Sequence, residues 1–184
     1  MASISILNLL FLNLLFFATV VISIDPEDCV YTMYVRTGSM LGAGTDSKIS
    51  LTVADDSGQA LKINDLKAWG GLMGGFYNYF ERDNLDIFSG KAPCLVGNVC
   101  KMNITSDNSG IILTSDWYCR YVEVTTTGAQ TPCAQQTFTI EQWLSTTRDP
   151  KKLYATKDYC GLSSTGIQRL IVVDPENESD SAFS

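Results

Sequence analysis

Acidic side chains in three loop segments are the groups of this 184-residue chain that could hold a metal ion. The segments span 42–46, 55–56 and 107–116, between stretches rich in β-forming residues. Calcium takes about six to eight oxygen ligands from carboxylates and carbonyls on flexible loops. Calcium is therefore one cofactor hypothesis. The alternative is that these aspartates cap turns by accepting hydrogen bonds from backbone amides.

A second acidic group consists of Glu81, Asp83 and Asp86 around Arg82. Paired carboxylates carry out glycoside hydrolysis, but in a loop-to-strand segment we expect these acids to be solvated or paired with Arg82. The chain has no histidine, which excludes Ser-His-Asp and Cys-His nucleophiles and histidine-ligated metals. We predict that the protein is not an enzyme.

The cysteines are the groups that could form covalent cross-links, and there are six: Cys29, Cys94, Cys100, Cys119, Cys133 and Cys160. The short loop between Cys94 and Cys100 predicts a local disulfide. Cys29 and Cys160 bracket the domain and would pair if the first and last strands are neighbours. Cys119 and Cys133 form the remaining predicted pair.

The first 21 residues carry no charged side chain, and the run from Ile6 to Ile22 is almost entirely apolar. The run is short for a bilayer span, and small residues near Ser23 precede an abruptly polar stretch. We therefore predict a signal peptide at 1–23, with a retained signal anchor as the alternative. Entry into the secretory pathway follows, with an endoplasmic-reticulum or extracellular location and disulfides.

Two acceptor patterns for N-glycosylation fit this route, at Asn103 and Asn177. Residues 24–165 form the predicted domain, and 166–184 a disordered acidic tail. The net charge of −7 and pI near 4.5 argue against a nucleic-acid partner. We expect a monomer.

The stretch from Trp69 to Phe80 combines four glycines with many apolar side chains. One interpretation is an exposed loop that contacts a membrane or partner, and its residues would be Leu72, Met73, Phe76 and Tyr77. The alternative places Trp69, Phe76 and Phe80 in the core, with Tyr77 and Tyr79 at the rim. Core packing is expected of Trp69 and Phe80.

The elements that must position these groups are short strands. Ile49, Leu51 and Val53 alternate with polar residues, which indicates a half-buried strand. Similar patterns predict eight strands: 29–37, 47–55, 59–63, 84–89, 101–106, 117–126, 137–143 and 153–159. We predict no long helix, and expect Trp117 and Trp143 in the core. The fold class is an all-β, antiparallel β-sandwich.

Gly44-Thr45-Asp46 stands before an alternating strand, and residues 80–88 read FERDNLDIF. These segments resemble the opening and the central segment of the PLAT/LH2 domain family. Residues 102–110 (MNITSDNSG) followed by Asp116-Trp117-Tyr118 resemble a later turn, with Ser106 where histidine is usual. The resemblance spans about 29–160 and extends to small plant proteins that consist of one such domain.

The resemblance implies an eight-stranded sandwich of two four-stranded sheets. It also implies calcium ligands, with a carbonyl from Gly44 and carboxylates from Asp46 and Asp116. Gly42 stands where the family often has an acid, so one ligand is missing. Domains of this family aid engagement of membranes or lipids, often with calcium, and bind protein partners. The stand-alone plant members are associated with abiotic stress and the endoplasmic reticulum.

The sequence thus predicts a non-catalytic, secretory-pathway module that binds membrane lipids or a protein partner and acts in abiotic-stress tolerance of plants. One alternative is an enzyme that processes or guides a small molecule in a β-sandwich pocket, using carboxylates or tyrosines. Another is a carbohydrate-binding sandwich, which needs exposed coplanar aromatics. A closed apolar pocket with convergent polar groups would favour the enzyme.

Overall fold

The computed structural model describes residues 28–111 and 115–161. Its eight strands are β1 (Asp28–Thr37), β2 (Ile49–Ala54), β3 (Ala60–Ile63), β4 (Leu85–Pro93), β5 (Lys101–Ser106), β6 (Trp117–Thr127), β7 (Ala134–Leu144) and β8 (Tyr154–Asp158). A five-residue helix, α1 (Leu66–Gly70), lies between β3 and β4. The predicted signal peptide, Asn177 and the predicted acidic tail lie outside the described residues.

The strands form two four-stranded sheets, with orders β4-β1-β6-β7 and β3-β2-β5-β8. Every strand pairing is antiparallel. The predicted fold class and number of strands are confirmed. Within the described ranges, no helix is long and apolar enough to cross a membrane.

Alternating side chains build the core between the two sheets. In β1 every second residue points inwards, and in β2 Ile49, Leu51 and Val53 do so, as the sequence predicted. The space between the sheets is filled by large side chains that include Tyr31, Phe88, Trp117 and Phe138. Trp117 is fully buried, which confirms its predicted core position.

The loops that connect the antiparallel strands lie at two opposite ends of the sandwich. The loop end carries the connections 38–48, 64–84, 107–116 and 145–153, and the disulfide end carries 55–59, 94–100 and 128–133. Both disulfides, Cys29–Cys94 and Cys100–Cys160, lie at the disulfide end. The loop end of the sandwich is therefore held by non-covalent contacts in the described residues.

The predicted disulfide pairings Cys94–Cys100 and Cys29–Cys160 are wrong, and strand register explains why. Cys29 lies opposite Ala92 on the neighbouring strand β4, which brings Cys94 within reach. Lys101 lies opposite Asp158, and the amide of Tyr159 donates to the carbonyl of Cys100 at 2.8 Å. This pairing places Cys100 beside Cys160. The first and last strands belong to different sheets, so they do not pair.

The predicted Cys119–Cys133 pair is also wrong. Cys119 lies opposite Gln142 near the loop end of the β6–β7 hairpin, whereas Cys133 precedes Ala134 at the other end. Both are free thiols, buried at Cys119 and exposed at Cys133. Burial raises the pKa of the Cys119 thiol well above its usual value. Cys119 is therefore a core residue rather than a reactive one.

Candidate functional site

Helix α1 presses the start of the glycine-rich stretch against the edge strand β4. Asp65 caps the helix, because its carboxylate accepts a hydrogen bond from the amide of Ala68 at 3.1 Å. A Cβ atom on Gly70 would lie 2.2 Å from the carbonyl oxygen of Ser89. This close approach requires glycine at position 70. It also fixes where the chain that follows the helix starts relative to β4.

The apolar loop, residues 71–77, is hydrogen-bonded to the rest of the fold near its start and contains a turn of its own. The amide of Leu72 donates to the carbonyl of Ile87 at 3.0 Å. The amide of Met73 donates to the hydroxyl of Tyr79 at 2.8 Å, and the amide of Tyr77 to the carbonyl of Gly74 at 3.3 Å. The loop is therefore anchored to β4 and to the core.

Three of the four residues predicted for this loop face solvent. Phe76 is fully exposed, Leu72 is 60% exposed and Met73 is 38% exposed. Tyr77 instead packs against the core, with its ring edge-on to Tyr79 at a centroid distance of 5.0 Å. The alternative that placed Phe76 in the core is wrong, and the apolar loop presents apolar side chains to solvent.

Aromatic rings form the base on which the apolar loop stands. Phe88 stacks on Tyr79 and on Phe80 at centroid distances of 5.3 and 5.5 Å, and Phe80 meets Trp117 at 5.5 Å. Phe80 is in the core, as predicted, but Tyr79 is buried rather than at the rim. Trp69 is half-buried and packs onto the core. The base belongs to the core, so it is rigid.

Asp86 is a fully buried carboxylate beneath this base. It accepts a hydrogen bond from the amide of Phe80 at 2.8 Å, where the backbone has a positive φ of 60°. Burial raises the pKa of Asp86, although the amide of Phe80 and the hydroxyl of Tyr77 favour the ionised form. The expectation that Asp86 is solvated or paired with Arg82 is wrong, and Asp86 positions the turn that supports the apolar loop.

The other acids near Arg82 do not form a catalytic pair with Asp86. Asp83 forms an ion pair with Arg36 of β1, and its backbone amide donates to the carbonyl of Gly38. Glu81 accepts a hydrogen bond from the side chain of Asn78. Each of these acids therefore holds a turn in place, and the glycosidase-like arrangement receives no support.

The residues predicted to bind calcium have different surroundings from one another. Gly44 packs against the backbone of residues 80–82, where an added Cβ atom would lie 2.9 Å from the amide nitrogen of Arg82. Asp46 is exposed and lines a cleft of about 180 Å³ with Asp65 and Lys67. In the described part of the chain, no group of three or more carboxylate or thiol side chains is arranged to hold a metal ion.

Both carboxylate oxygens of Asp116 already have partners within the protein. Its Oδ1 accepts a hydrogen bond from the hydroxyl of Ser145, and its Oδ2 accepts one from Thr147 at 3.0 Å. The Nε atom of Arg148 lies 3.4 Å from the same Oδ2. A calcium ion would have to displace these partners and would meet a guanidinium. Among the described residues, the predicted ligands Gly44, Asp46 and Asp116 therefore do not fit calcium.

The remaining acidic loops are turn caps, as the alternative predicted. Buried Asp55 accepts hydrogen bonds from the amides of Gln59 and Gly97 and from the hydroxyl of Ser57. Burial raises its pKa, but these hydrogen bonds outweigh burial and hold it below its usual value. Asp107 likewise accepts from the amides of Ser109 and Lys48.

Asn103 of the first glycosylation pattern lies on the outer face of β5. Its side chain is exposed and accepts a hydrogen bond from the hydroxyl of Thr156 at 3.3 Å. The orientation required for modification is present, and modification itself stays a prediction.

Two further surface depressions of the described chain are open. One of about 450 Å³ lies at the disulfide end and is lined by Cys133, Gln135, Gln136 and Tyr159, among others. Another, of about 460 Å³, lies on the outer face of the β1-containing sheet beside Arg36 and Glu141. These polar clefts are unlike the closed apolar pocket that would favour an enzyme.

The aromatic side chains of the described residues do not provide the coplanar surface that a carbohydrate-binding sandwich needs. Phe76 and Tyr154 are the exposed aromatics among the large hydrophobic side chains, and they lie on different elements. Trp143 is half-buried rather than in the core, and the guanidinium of Arg148 covers its ring at 4.0 Å. The apolar loop is thus the best-supported candidate site.

Comparison with known proteins gives consistent matches. The family model of the PLAT/LH2 domain matches residues 31–156. PLAT domain-containing protein 2 of Arabidopsis thaliana is 51% identical over 160 residues, which cover 85% of this chain and 86% of that protein. PLAT domain-containing protein 1 of the same plant is 54% identical over 136 residues, or 74% of each chain.

A solved structure shares the fold. Coral 8R-lipoxygenase, described as activated by calcium through a C2-like domain, superposes with a TM-score of 0.50 at 20% identity. The match covers 70% of this chain and 16% of the lipoxygenase chain. The chain therefore corresponds to about one sixth of that enzyme, and the likeness concerns the fold alone.

Proposed function

The chain belongs to the PLAT/LH2 domain family, and from this premise we propose that it is a non-catalytic module that binds lipid surfaces through the apolar loop. The observation that carries the proposal is the exposure of Leu72 and Phe76 on a backbone anchored to the core. The backbone of Leu72 is held by its hydrogen bond to Ile87, and Phe76 lies in the turn that the amide of Tyr77 closes onto Gly74. Both features reduce the conformational freedom that is lost on insertion.

The energetics favour insertion of this loop into the interface of a bilayer. Burying one side chain of this size gains about 1.5–3 kcal/mol, so two side chains together support reversible attachment. Leu41, 85% exposed, and Ile111, 74% exposed, lie in two further connections of the loop end. Apolar side chains thus project from three of its four connections, which supports contact with an extended surface rather than a small ligand.

The charge of the protein indicates which lipid surfaces it can approach. The chain carries a net charge of −7. The segment that follows the apolar loop adds no net positive charge, because Arg82 stands between Glu81 and Asp83. Anionic lipid surfaces repel acidic proteins, whereas zwitterionic surfaces do not. The proposed surface is therefore one rich in zwitterionic lipid.

We assign this module to the secretory pathway, in the endoplasmic reticulum or outside the cell, with a role in abiotic-stress tolerance. The apolar segment at 6–22, the two disulfides and the exposed Asn103 support the pathway. The stress role rests on the family resemblance. Expression of the tagged full chain in plant cells, with endoglycosidase digestion, tests the pathway, since a cytosolic, undigested protein would contradict it.

Vesicle sedimentation tests the lipid function. The wild-type protein is expected to co-sediment with phosphatidylcholine vesicles, and Leu72→Ser/Phe76→Ser to lose at least about tenfold in affinity, the equivalent of 1.4 kcal/mol. The matched control is Val96→Ser, which removes a side chain that is 79% exposed at the disulfide end. Binding that survives the double substitution, or is lost equally in the control, contradicts the assignment. A wild-type protein that ignores vesicles but captures a protein through the same loop would favour the protein-partner alternative.

A further inference from the structure

Arg148 occupies a central position among the connections of the loop end. Its Nε atom pairs with Asp116, which directly precedes β6, and its guanidinium stacks over the ring of Trp143 at 4.0 Å. Trp143 in turn meets Tyr118 edge-on at a centroid distance of 5.3 Å. Two hydrogen bonds of 2.9 Å, from the amides of Thr147 and Arg148 to the hydroxyl of Ser145, fix the backbone that carries the guanidinium.

The same guanidinium also reaches the connection between β1 and β2. Gly42 has a positive φ of 74°, and a Cβ atom added there would lie 3.5 Å from the Nη2 atom of Arg148. An acidic side chain at this position would therefore start next to a positive charge. Arg148, on the 145–153 connection, thus contacts Asp116 of the 107–116 connection and approaches the 38–48 connection.

We propose that the guanidinium of Arg148 takes the place of a calcium ion, so that this end of the sandwich is assembled without calcium. A divalent ion at a junction of loops needs several carboxylates to balance its charge. Here one permanent positive charge faces one carboxylate, Asp116, because position 42 is glycine and Asp46 lines a different cleft. A guanidinium also stays protonated throughout the physiological pH range.

A calcium titration combined with a double-mutant cycle tests this assignment. The wild-type melting temperature is expected to be the same in chelator and in millimolar calcium. Arg148→Met keeps the aliphatic stem and removes the charge, and we expect it to lower the melting temperature by about 2–4 °C. In the Asp116→Asn background the same substitution should lower it by less than half as much, because the partner charge is already gone.

An exposed ion pair at the opposite end provides the matched control. Lys101 and Asp158 lie 3.2 Å apart with side chains about half exposed, and Lys101→Met should leave the melting temperature within about 1 °C. A rise of the wild-type melting temperature on calcium addition overturns the proposal. Fully additive losses from Arg148→Met and Asp116→Asn overturn it as well. The wild-type titration keeps the test decisive if Arg148→Met does not fold.

Discussion

The hydroxyl of Tyr79 accepts a hydrogen bond from the backbone amide of Met73 at 2.8 Å, and this bond joins the apolar loop to the aromatic base of the core. The ring of Tyr79 is buried and stacks on Phe88. A buried residue thus determines how an exposed segment is presented. The connection is short in sequence, because only five residues separate donor and acceptor.

Tyr79→Phe should loosen the apolar loop while leaving the core intact. The substitution removes one hydrogen-bond acceptor, and we expect a loss of about 1 kcal/mol in the free energy of unfolding. Hydrogen exchange of the Met73 amide should become faster by about tenfold or less, with the exchange of core amides of β1 changing little. Tyr34→Phe, half-buried on β1, is the control. Unchanged protection of the Met73 amide in Tyr79→Phe would contradict the anchoring role.

Gly70→Ala should be strongly destabilising. The added methyl group would overlap the carbonyl of Ser89, which is backbone and cannot rotate away. We expect a loss of about 1–3 kcal/mol in chemical denaturation. Gly75→Ala is the matched control, since nothing lies within 4 Å of a Cβ atom at Gly75. Equal stability of the two variants would show that helix α1 does not pack as described.

Cys94→Ser should destabilise the fold, whereas Cys133→Ser should not. The first substitution opens the Cys29–Cys94 bridge, and loss of a native disulfide from a small domain costs about 2–5 kcal/mol. The second removes an exposed free thiol. Peptide mapping under non-reducing conditions checks the bridges directly. A recovered peptide pair that joins Cys94 to Cys100 would refute the register at the disulfide end.

Asp86→Asn should change how stability depends on pH. The folded state raises the pKa of Asp86 above its ordinary value of 3.8, so the folded chain holds this proton to a higher pH than the unfolded chain does. The contribution of Asp86 is therefore most favourable at low pH and is lost as pH rises through the raised pKa. Asparagine still accepts the hydrogen bond from Phe80 and has no proton to lose.

Urea unfolding at several pH values from about 4 to 7 measures this difference. The stability of Asp86→Asn relative to wild type should increase with pH over this range. The control is Asp56→Asn, which replaces an exposed acid in the β2–β3 turn. A constant difference between Asp86→Asn and wild type across the range would mean that Asp86 ionises as readily in the fold as in the unfolded chain.

The strands could be predicted because alternation is a local property. Ile49, Leu51 and Val53 have the period that a half-buried strand requires, and the same reasoning located all eight strands. The disulfides could not be predicted in this way, because the pairing of Cys29 with Cys94 depends on which strand lies beside β1. The alternation of apolar residues within one strand does not show which strands lie beside it in the sheet.

The candidate site was predictable in part for a related reason. Glycines beside Leu72 and Phe76 indicated an irregular, exposed segment, and the structure agrees. Burial of Asp86 was missed because the charge of an acidic residue suggests solvent, while the amide that it satisfies is six residues away. Arg148 was missed because its partner, Asp116, is distant in sequence and neither residue belongs to a local pattern.

The two disulfides lie at the same end of the sandwich as both boundaries of the described chain. Asp28 lies opposite Pro93, and Gly161 follows Cys160, so both boundaries emerge at the disulfide end. A fluorescent protein or affinity tag fused beyond either boundary would project from the side opposite the loop end. The described fold can therefore be tethered at either of these two boundaries, on a sensor chip or a larger carrier, with the apolar loop still facing outwards.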